Sequence, residues 1–473
     1  MQIIRGNLLK ARNSLSVMLS ALFAIGGIVS YRADAIEIGG DSLSVITLED
    51  AWNLAARYNK DLRIAREQVI VADGRVREAW SGALPNVSAM GQYQRNIETP
   101  VFYITMSDPN TGNEVTQAFK IGEANAYTGI LQVQQPLWLA GKIGLGLKAA
   151  RLYRNLSQES LRSEGITLRY QVASDFFGVL LARSLLSVAR ENYELAVKHS
   201  SRVHDLFDQG QVSEYDVIRA DVQTANLQPG VMQAENQMRL AEDALKSRLG
   251  LDLSAGAEFQ GELVPIERQF PETADAYLEA LRNRPEQQII DLQKRLNSIQ
   301  YKAESRNVYW PNLYLSGNVT WQSQAPDFQI EDYQWNRSVS ALLQVSIPLF
   351  DGFRTSARKQ QVQAAGHQLS HQEVQFHDGL RLELQGILDN IKTANQRLDA
   401  EEKTIEQAER GLRIAEVRYE NGISTLLEIL DAQLALSIAK TEYLKSVYDQ
   451  RVAIFALERA LGQFGLTPDE TEE

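Results

Sequence analysis

Gln135-Pro136-Leu137-Trp138 has a near copy at Ile347-Pro348-Leu349-Phe350, 212 positions on (136 to 348). The same step carries Gly210 to Gly422 and Leu249-Gly250 to Leu461-Gly462. One spacing held at three separated landmarks marks an internal duplication. Upstream the step widens to 226: Leu84-Pro85-Asn86 through Gly91 matches Trp310-Pro311-Asn312 through Gly317 (84 to 310). The excess, 226 less 212, is a 14-residue insertion in the first copy, around the turn-rich Asp108-Pro109-Asn110-Thr111-Gly112-Asn113.

Each copy reads as a helix, two strands, a very long helix, a tight turn and a second helix. Apolar or small residues recur every seven positions along the first long helix, at Val172, Val179, Leu186, Tyr193, Ser200 and Phe207, with Phe176 and Val197 between them. Leu384, Ile391, Leu398, Ile405, Leu412 and Tyr419 repeat the series in phase. Such a sustained heptad predicts long helices packed at shallow coiled-coil angles. From about 142 to 208 the helix would run roughly 100 Å, the scale of a shaft.

The strand segments alternate. Leu313, Leu315, Gly317, Val319 and Trp321 fall on one face, with Asn312, Tyr314, Ser316, Asn318 and Thr320 on the other. Val339, Ala341, Leu343, Val345 and Ile347 stand likewise against Ser338, Ser340, Gln344 and Ser346. Expected strands are 86–96, 127–136, 312–322 and 335–347. Aromatic residues gather near their ends, at Tyr93, Tyr127, Trp138, Tyr309, Trp310, Trp321, Tyr333, Trp335 and Phe350, as in the girdles of membrane barrels. An ordinary antiparallel sheet with one wet face would show the same alternation, and the leader and shaft favour the membrane reading.

The chain has 473 residues, with 48 Lys and Arg against 60 Asp and Glu, and no cysteine. The acidic balance disfavours nucleic-acid binding, and the missing thiols exclude disulfides, thiolate metal sites and a lipoprotein anchor. Residues 1–35 read as a secretory signal peptide: Arg5, Lys10 and Arg12, an apolar run from Leu15 to Val29, then Ala33-Asp34-Ala35. The apolar run is short for a transmembrane helix. No later stretch approaches 18 continuous apolar residues, so a span would need strands. Four strands cannot close a membrane barrel, because an open edge leaves backbone groups unpaired in lipid. Two chains would give eight strands and a filled lumen, and three would give twelve and a channel, so a homotrimer is the smallest conducting assembly.

The duplicated order, the Leu-Pro-Asn and Trp-Pro-Asn strand starts, the Gln-Pro-Leu-Trp and Ile-Pro-Leu-Phe strand ends, and the Gly210-x-x-Ser213 and Gly422-x-Ser424-Thr425 turns resemble the TolC family of outer-membrane efflux proteins. The resemblance covers residues 45–465 and, without cysteine, fits the unlipidated branch. It implies an α+β membrane protein: a trimeric outer-membrane β-barrel, four strands per chain and twelve in total, continued by a twelve-helix coiled-coil periplasmic barrel. Its implied partners are a periplasmic adaptor (membrane fusion) protein, an inner-membrane transporter and outer-membrane lipid, with no cofactor. The expected divisions are a signal peptide 1–35, a first repeat 36–250 with its turn at 209–213, a connecting equatorial segment 251–272, a second repeat 273–462 with its turn at 421–425, and a tail 463–473. The expected function is the exit duct of a tripartite efflux or type I secretion system.

Function is expected at the turns. Each places glycine where one helix ends, Ser or Thr where the next begins, and a carboxylate three residues on, so Asp216 and Glu428 read as capping-box residues. Asp431 shares the Glu428 face but lies too far in to cap. By resemblance Tyr419, Asp216, Glu428 and Asp431 match the family's tunnel constriction, and Gly210, Val212, Ser213, Gly422, Ser424 and Thr425 form adaptor-docking turns. Ser424 stands where the family's best-studied member has an arginine, which there implies a salt-bridged lock.

Three features only mimic chemistry. His367 and His371 lie four apart without an evident third metal ligand. Gly141-x-x-Gly144-x-Gly146 lacks a P-loop's Lys-Ser/Thr, and reads as a strand-to-helix passage. Asp108, Asn110 and Gly112 start a calcium loop that has no terminal Glu. A periplasmic coiled-coil adaptor or scaffold without a channel is the alternative function. An envelope enzyme lacks any convergent nucleophile, base or ligand set.

Overall fold

The computed structural model describes residues 44–107, 112, 114–327 and 334–463. The signal peptide, Asp108, Asn110, Tyr333 and the tail beyond Gln463 lie outside them. The described residues from Val45 onward belong to one compact unit. Chain order is β1 (Ser44–Ile46), α1 (Leu48–Tyr58), α2 (Lys60–Ser81), β2 (Asn86–Arg95), β3 (Val101–Ser107), β4 (Glu114–Lys120), β5 (Asn125–Leu139), α3 (Lys142–Asp208) and α4 (Glu214–Leu249). It continues with β6 (Ala257–Phe259), α5 (Thr273–Asn283), α6 (Pro285–Glu304), β7 (Asn312–Ala325), β8 (Asn336–Ser346), α7 (Arg354–Glu420) and α8 (Leu426–Leu461).

α3 and α7 have 67 residues each, and α4 and α8 have 36. Both ends of each pair are 212 positions apart (142 to 354, 208 to 420, 214 to 426, 249 to 461). The single leading helix expected in each copy is instead two. Asn59 ends α1 and restarts the chain by accepting the Leu62 N–H on its side chain at 3.0 Å. In the second copy Pro285 occupies the first position of α6, where its missing N–H is harmless and the residue before it is held extended.

Four strands form one antiparallel sheet in the order β2-β5-β7-β8. Its register lines the alternating residues up across strands: Ala89 opposes Leu131, Leu131 opposes Val319, and Val319 opposes Val339. Leu315 with Leu343 and Leu313 with Val345 extend the same face. Ser88, Gln132, Asn318 and Ser340 form the matching row on the other face. The apolar face is uncovered among the described residues, with Val87, Val339, Leu343 and Val345 all exposed. β5 is longer than expected because a bulge between Pro136 and Trp138 carries the ladder on to Leu139. The insertion, expected as a turn, has two paired arms, β3 and β4, with Phe102 opposite Phe119 and Thr105 opposite Thr116.

The heptad positions bury unevenly. Val172, Val179 and Leu186 are buried, as are Leu384, Ile391 and Leu398, whereas Val197 and Phe207 are 42% exposed. Around the middle of α3, Phe176 and Phe177 pack with Leu62, Leu245, Leu249, Phe259 and Phe455. Their rings meet Phe259 edge-on at 6.2 Å and stack on Phe455 at 5.7 Å. An 18-residue window of α3 reaches a mean hydropathy of 1.6, enough for a membrane span by composition. Its buried residues are this core. A second cluster, including Leu380, Leu384, Ile391, Ile454 and Leu461, repeats the arrangement around α7.

Glycine closes both hairpins against the helix breaks. At Gly250 (φ +75°) an added Cβ would lie 2.4 Å from the Tyr58 carbonyl oxygen, and at Gly462 (φ +69°) 2.9 Å from that of Asn283. Beside the second break Arg284 is buried and bridges Glu286 at 3.1 Å and Glu383 at 2.6 Å, while Arg459 takes the other Glu383 oxygen at 2.6 Å. Of the glycine motif near the sheet, only Gly141 lies in the strand-to-helix passage, at φ +71°; Gly144 and Gly146 are within α3.

Candidate functional site: the helical tips

Both long helices end alike. Gly210 adopts φ +72° as its N–H donates to Phe207 O at 2.8 Å and the Gln211 N–H reaches Leu206 O at 2.9 Å. Gly422 adopts φ +69°, with its N–H donating to Tyr419 O at 2.9 Å and Ile423 N–H to Arg418 O at 2.8 Å. These are Schellman ends, which need the left-handed conformation that glycine takes freely. The next helices start differently. Ser213 and Asp216 make a full capping box, the Ser213 oxygen accepting the Asp216 N–H at 3.3 Å and the carboxylate accepting the Ser213 N–H at 3.1 Å.

Thr425 caps α8 without a side-chain hydrogen bond, so the expected capping role of Glu428 is not made. Its carboxylate turns back to Arg418 at 3.8 Å, with both side chains about half exposed. Ser424 donates its hydroxyl to Ala415 O at 3.4 Å. Asp431 stands exposed on α8, one turn beyond Glu428.

Tyr419 sits where the two hairpins meet. It packs against two buried clusters, one of Val203, Ala220 and Leu426, which Val212, Val217 and Leu430 also cover, and one that includes Leu412 and Ile429. Its hydroxyl is buried with no hydrogen-bond partner among the described residues. Burial raises its pKa, and the Asp216 charge adds to the rise. Thus Asp216 is near enough to act on Tyr419 through its field, but its carboxylate bonds to Ser213, not to the phenol.

Two further pairs join α3 to α7 just above the turns. Arg202 meets Glu420 at 3.3 Å, and His199 Nε2 meets Glu416 at 4.0 Å. They line a cleft of about 400 Å³ with Lys198, Asp205 and Tyr419. Burial lowers the His199 pKa; Glu416 opposes that shift and Arg202 reinforces it. Higher up, Lys440 of α8 bridges to Glu191 of α3 at 2.9 Å. None of these cross-helix residues was singled out from sequence. The signal present was the spacing of His199 and Arg202, and of Glu416 and Glu420, each one turn apart on one helical face. His367 and His371 are exposed, and among the described residues no group of three or more His, Asp or Glu is placed to hold a metal.

The family model for outer membrane efflux proteins matches residues 52–251 and 276–463, which takes in both hairpins and the sheet. The chain belongs to that family. It is an outer-membrane exit duct for efflux or secretion with a periplasmic extension, and not an enzyme. The chain is similar to the cobalt-zinc-cadmium resistance protein CzcC of Cupriavidus metallidurans, 25% identical over 88% of this chain and 90% of that protein. The alkaline protease secretion protein AprF of Pseudomonas aeruginosa is also 25% identical, over 70% of this chain and 68% of its own. In fold it resembles the outer membrane protein VceC of Vibrio cholerae, with a TM-score of 0.68 at 16% identity, covering 88% of this chain and 96% of that one.

Proposed function

We propose that three copies of this chain close a twelve-strand barrel in the outer membrane and a helical tunnel below it. The observation that carries this reading is the sheet. It has an uncovered apolar face running across all four strands, and its outer strands, β2 and β8, have no partner on their far sides among the described residues. An apolar face suits lipid, and free edges in lipid must pair with another chain. The resemblance to trimeric ducts supports the number three.

The tips then form the periplasmic entrance. Asp431 contributes one acidic ring, Glu428 is paired with Arg418, and Tyr419 and Asp216 sit where the hairpins join. The turns at Gly210–Ser213 and Gly422–Thr425 are the surface offered to a periplasmic adaptor, through which an inner-membrane transporter delivers its cargo. The names of CzcC and AprF concern metal resistance and protease secretion, so we assign cargo choice to the transporter rather than to the duct.

The test exploits the absence of native cysteine. Cysteines placed at Gln92 on β2 and Ser340 on β8, bridged by a short bis-maleimide in isolated outer membranes, should give a covalent trimer on a denaturing gel. Monomers or dimers alone would overturn the assembly.

A further inference from the structure

We propose that His199 makes the tip a proton-sensitive clasp, one that holds the two hairpins together at neutral pH and loosens as the surroundings acidify. The proposal rests on the tips being the entrance of the duct. Its geometry is a two-rung ladder: His199 and Arg202, one turn apart on α3, face Glu416 and Glu420, one turn apart on α7. The rungs differ in kind. Arg202 and Glu420 are each more than half exposed, so water screens their pair and it holds little. The His199 side chain is 17% exposed and buttresses the cleft as a packed, neutral ring.

A proton on that ring would bring a charge into a mostly covered site. Its carboxylate neighbour, Glu416, is at 4.0 Å, beyond hydrogen-bond reach. Lys198, Arg202 and Asp205 on α3, and Glu416, Tyr419 and Glu420 on α7, are the charged and titratable groups around it. α8 contributes only Ile429 to the cleft. Asp221 of α4 is engaged by Ser200 at 2.6 Å and by His204 at 3.6 Å. The sign follows from linkage. Packed, His199 has its pKa lowered by burial; released into water, it returns toward the ordinary 6.5. The released form therefore binds the proton more readily, so acidification below about 6.5 favours release, and nothing changes above it. Three copies would multiply the effect.

Purified trimers in planar bilayers, stepped from pH 7.5 to 5.5, should show a several-fold rise in basal open probability that sets in only as pH falls below about 6.5. His199→Gln keeps the ring's bulk and a polar tip, and should give no rise across that window. Glu416→Gln removes the charge that partly favours the proton in the packed state, so the acid rise should grow. If the rise came merely from protonating carboxylates, Glu416→Gln would shrink it. A double His367→Gln/His371→Gln variant, on the exposed shaft, should respond as the parent does.

Nitroxide labels at Gln209→Cys and Asn421→Cys report the turn-to-turn distance in detergent. They should show acid broadening in the parent and none in His199→Gln. An acid rise or broadening that survives His199→Gln, or a parent that shows neither, overturns the clasp. Absence of conductance at every pH overturns the duct reading instead, and the label distances still decide the clasp.

Discussion

Four glycines with the same backbone and different surroundings allow a packing cost to be separated from a conformational one. Gly210, Gly250, Gly422 and Gly462 all end a helix at φ between +69° and +75°. Alanine in the left-handed region costs about 1–2 kcal/mol whatever the neighbours. At Gly210 and Gly422 nothing lies within 4 Å of an added Cβ, so that cost is the whole effect. At Gly250 the Cβ would meet the Tyr58 carbonyl oxygen at 2.4 Å and its carbon at 2.8 Å, and at Gly462 the Asn283 carbonyl at 2.9 Å. Backbone must move in both cases, which adds the ~1–3 kcal/mol typical of overpacking. The expected losses are then ~2–5 kcal/mol for Gly250→Ala, slightly less for Gly462→Ala, and ~1–2 kcal/mol for Gly210→Ala and Gly422→Ala. Guanidinium unfolding in detergent, followed by the helical far-ultraviolet signal, gives the order of midpoints. Hydrogen exchange across 55–62 should rise only in Gly250→Ala. A Gly210→Ala midpoint as low as that of Gly250→Ala would refute the reasoning, because the close approach would then contribute nothing.

Ser213→Ala should cost about 1 kcal/mol and speed exchange of the 214–217 amides, whereas Thr425→Ala should leave 426–429 unchanged, since Thr425 accepts no capping bond. Arg284→Met should destabilise by about 3 kcal/mol in the same unfolding assay, because Glu286 loses its bridge and Glu383 keeps only Arg459. Lys294 holds the Glu373 carboxyl below the usual range, so its contribution is complete at neutral pH and is lost as pH falls through that lowered value. Glu373→Gln should accordingly flatten the acid limb of stability measured from pH 6 to 3. Asp431→Ala should reduce cation selectivity in bilayers more than Glu428→Ala does, because Arg418 already offsets Glu428.

The shaft and the sheet were legible in the sequence for a simple reason. Heptads and strict alternation are local periodicities, and duplication writes each twice. The helix breaks were harder. Asn59 is a polar residue inside an otherwise helical pattern, and its role depends on its side chain turning back to Leu62. The arms of the insertion, Val101–Ser107 and Glu114–Lys120, alternate weakly beside a conspicuous cluster of turn residues that drew the reading to a loop. At the tips, both glycine ends and the Ser213 cap could be read from residue types alone. Glu428 could not, because Thr425 and Ser213 differ in side-chain orientation and not in pattern. His199 and Glu416 lie 217 positions apart on different helices, and only packing decides that they meet.

The equal lengths of α3 and α7 carry an evolutionary consequence. Deleting one residue from either would draw its tip back by about 1.5 Å and turn every later side chain by about 100° around the axis. Seven-residue steps nearly restore the facing, yet a step in one helix alone would still leave its turn out of level with the other. A change in reach therefore requires matched indels in both halves of the gene and in the returning helices α4 and α8. The shaft should evolve as a ratchet: long intervals of fixed length, broken by paired whole-heptad jumps.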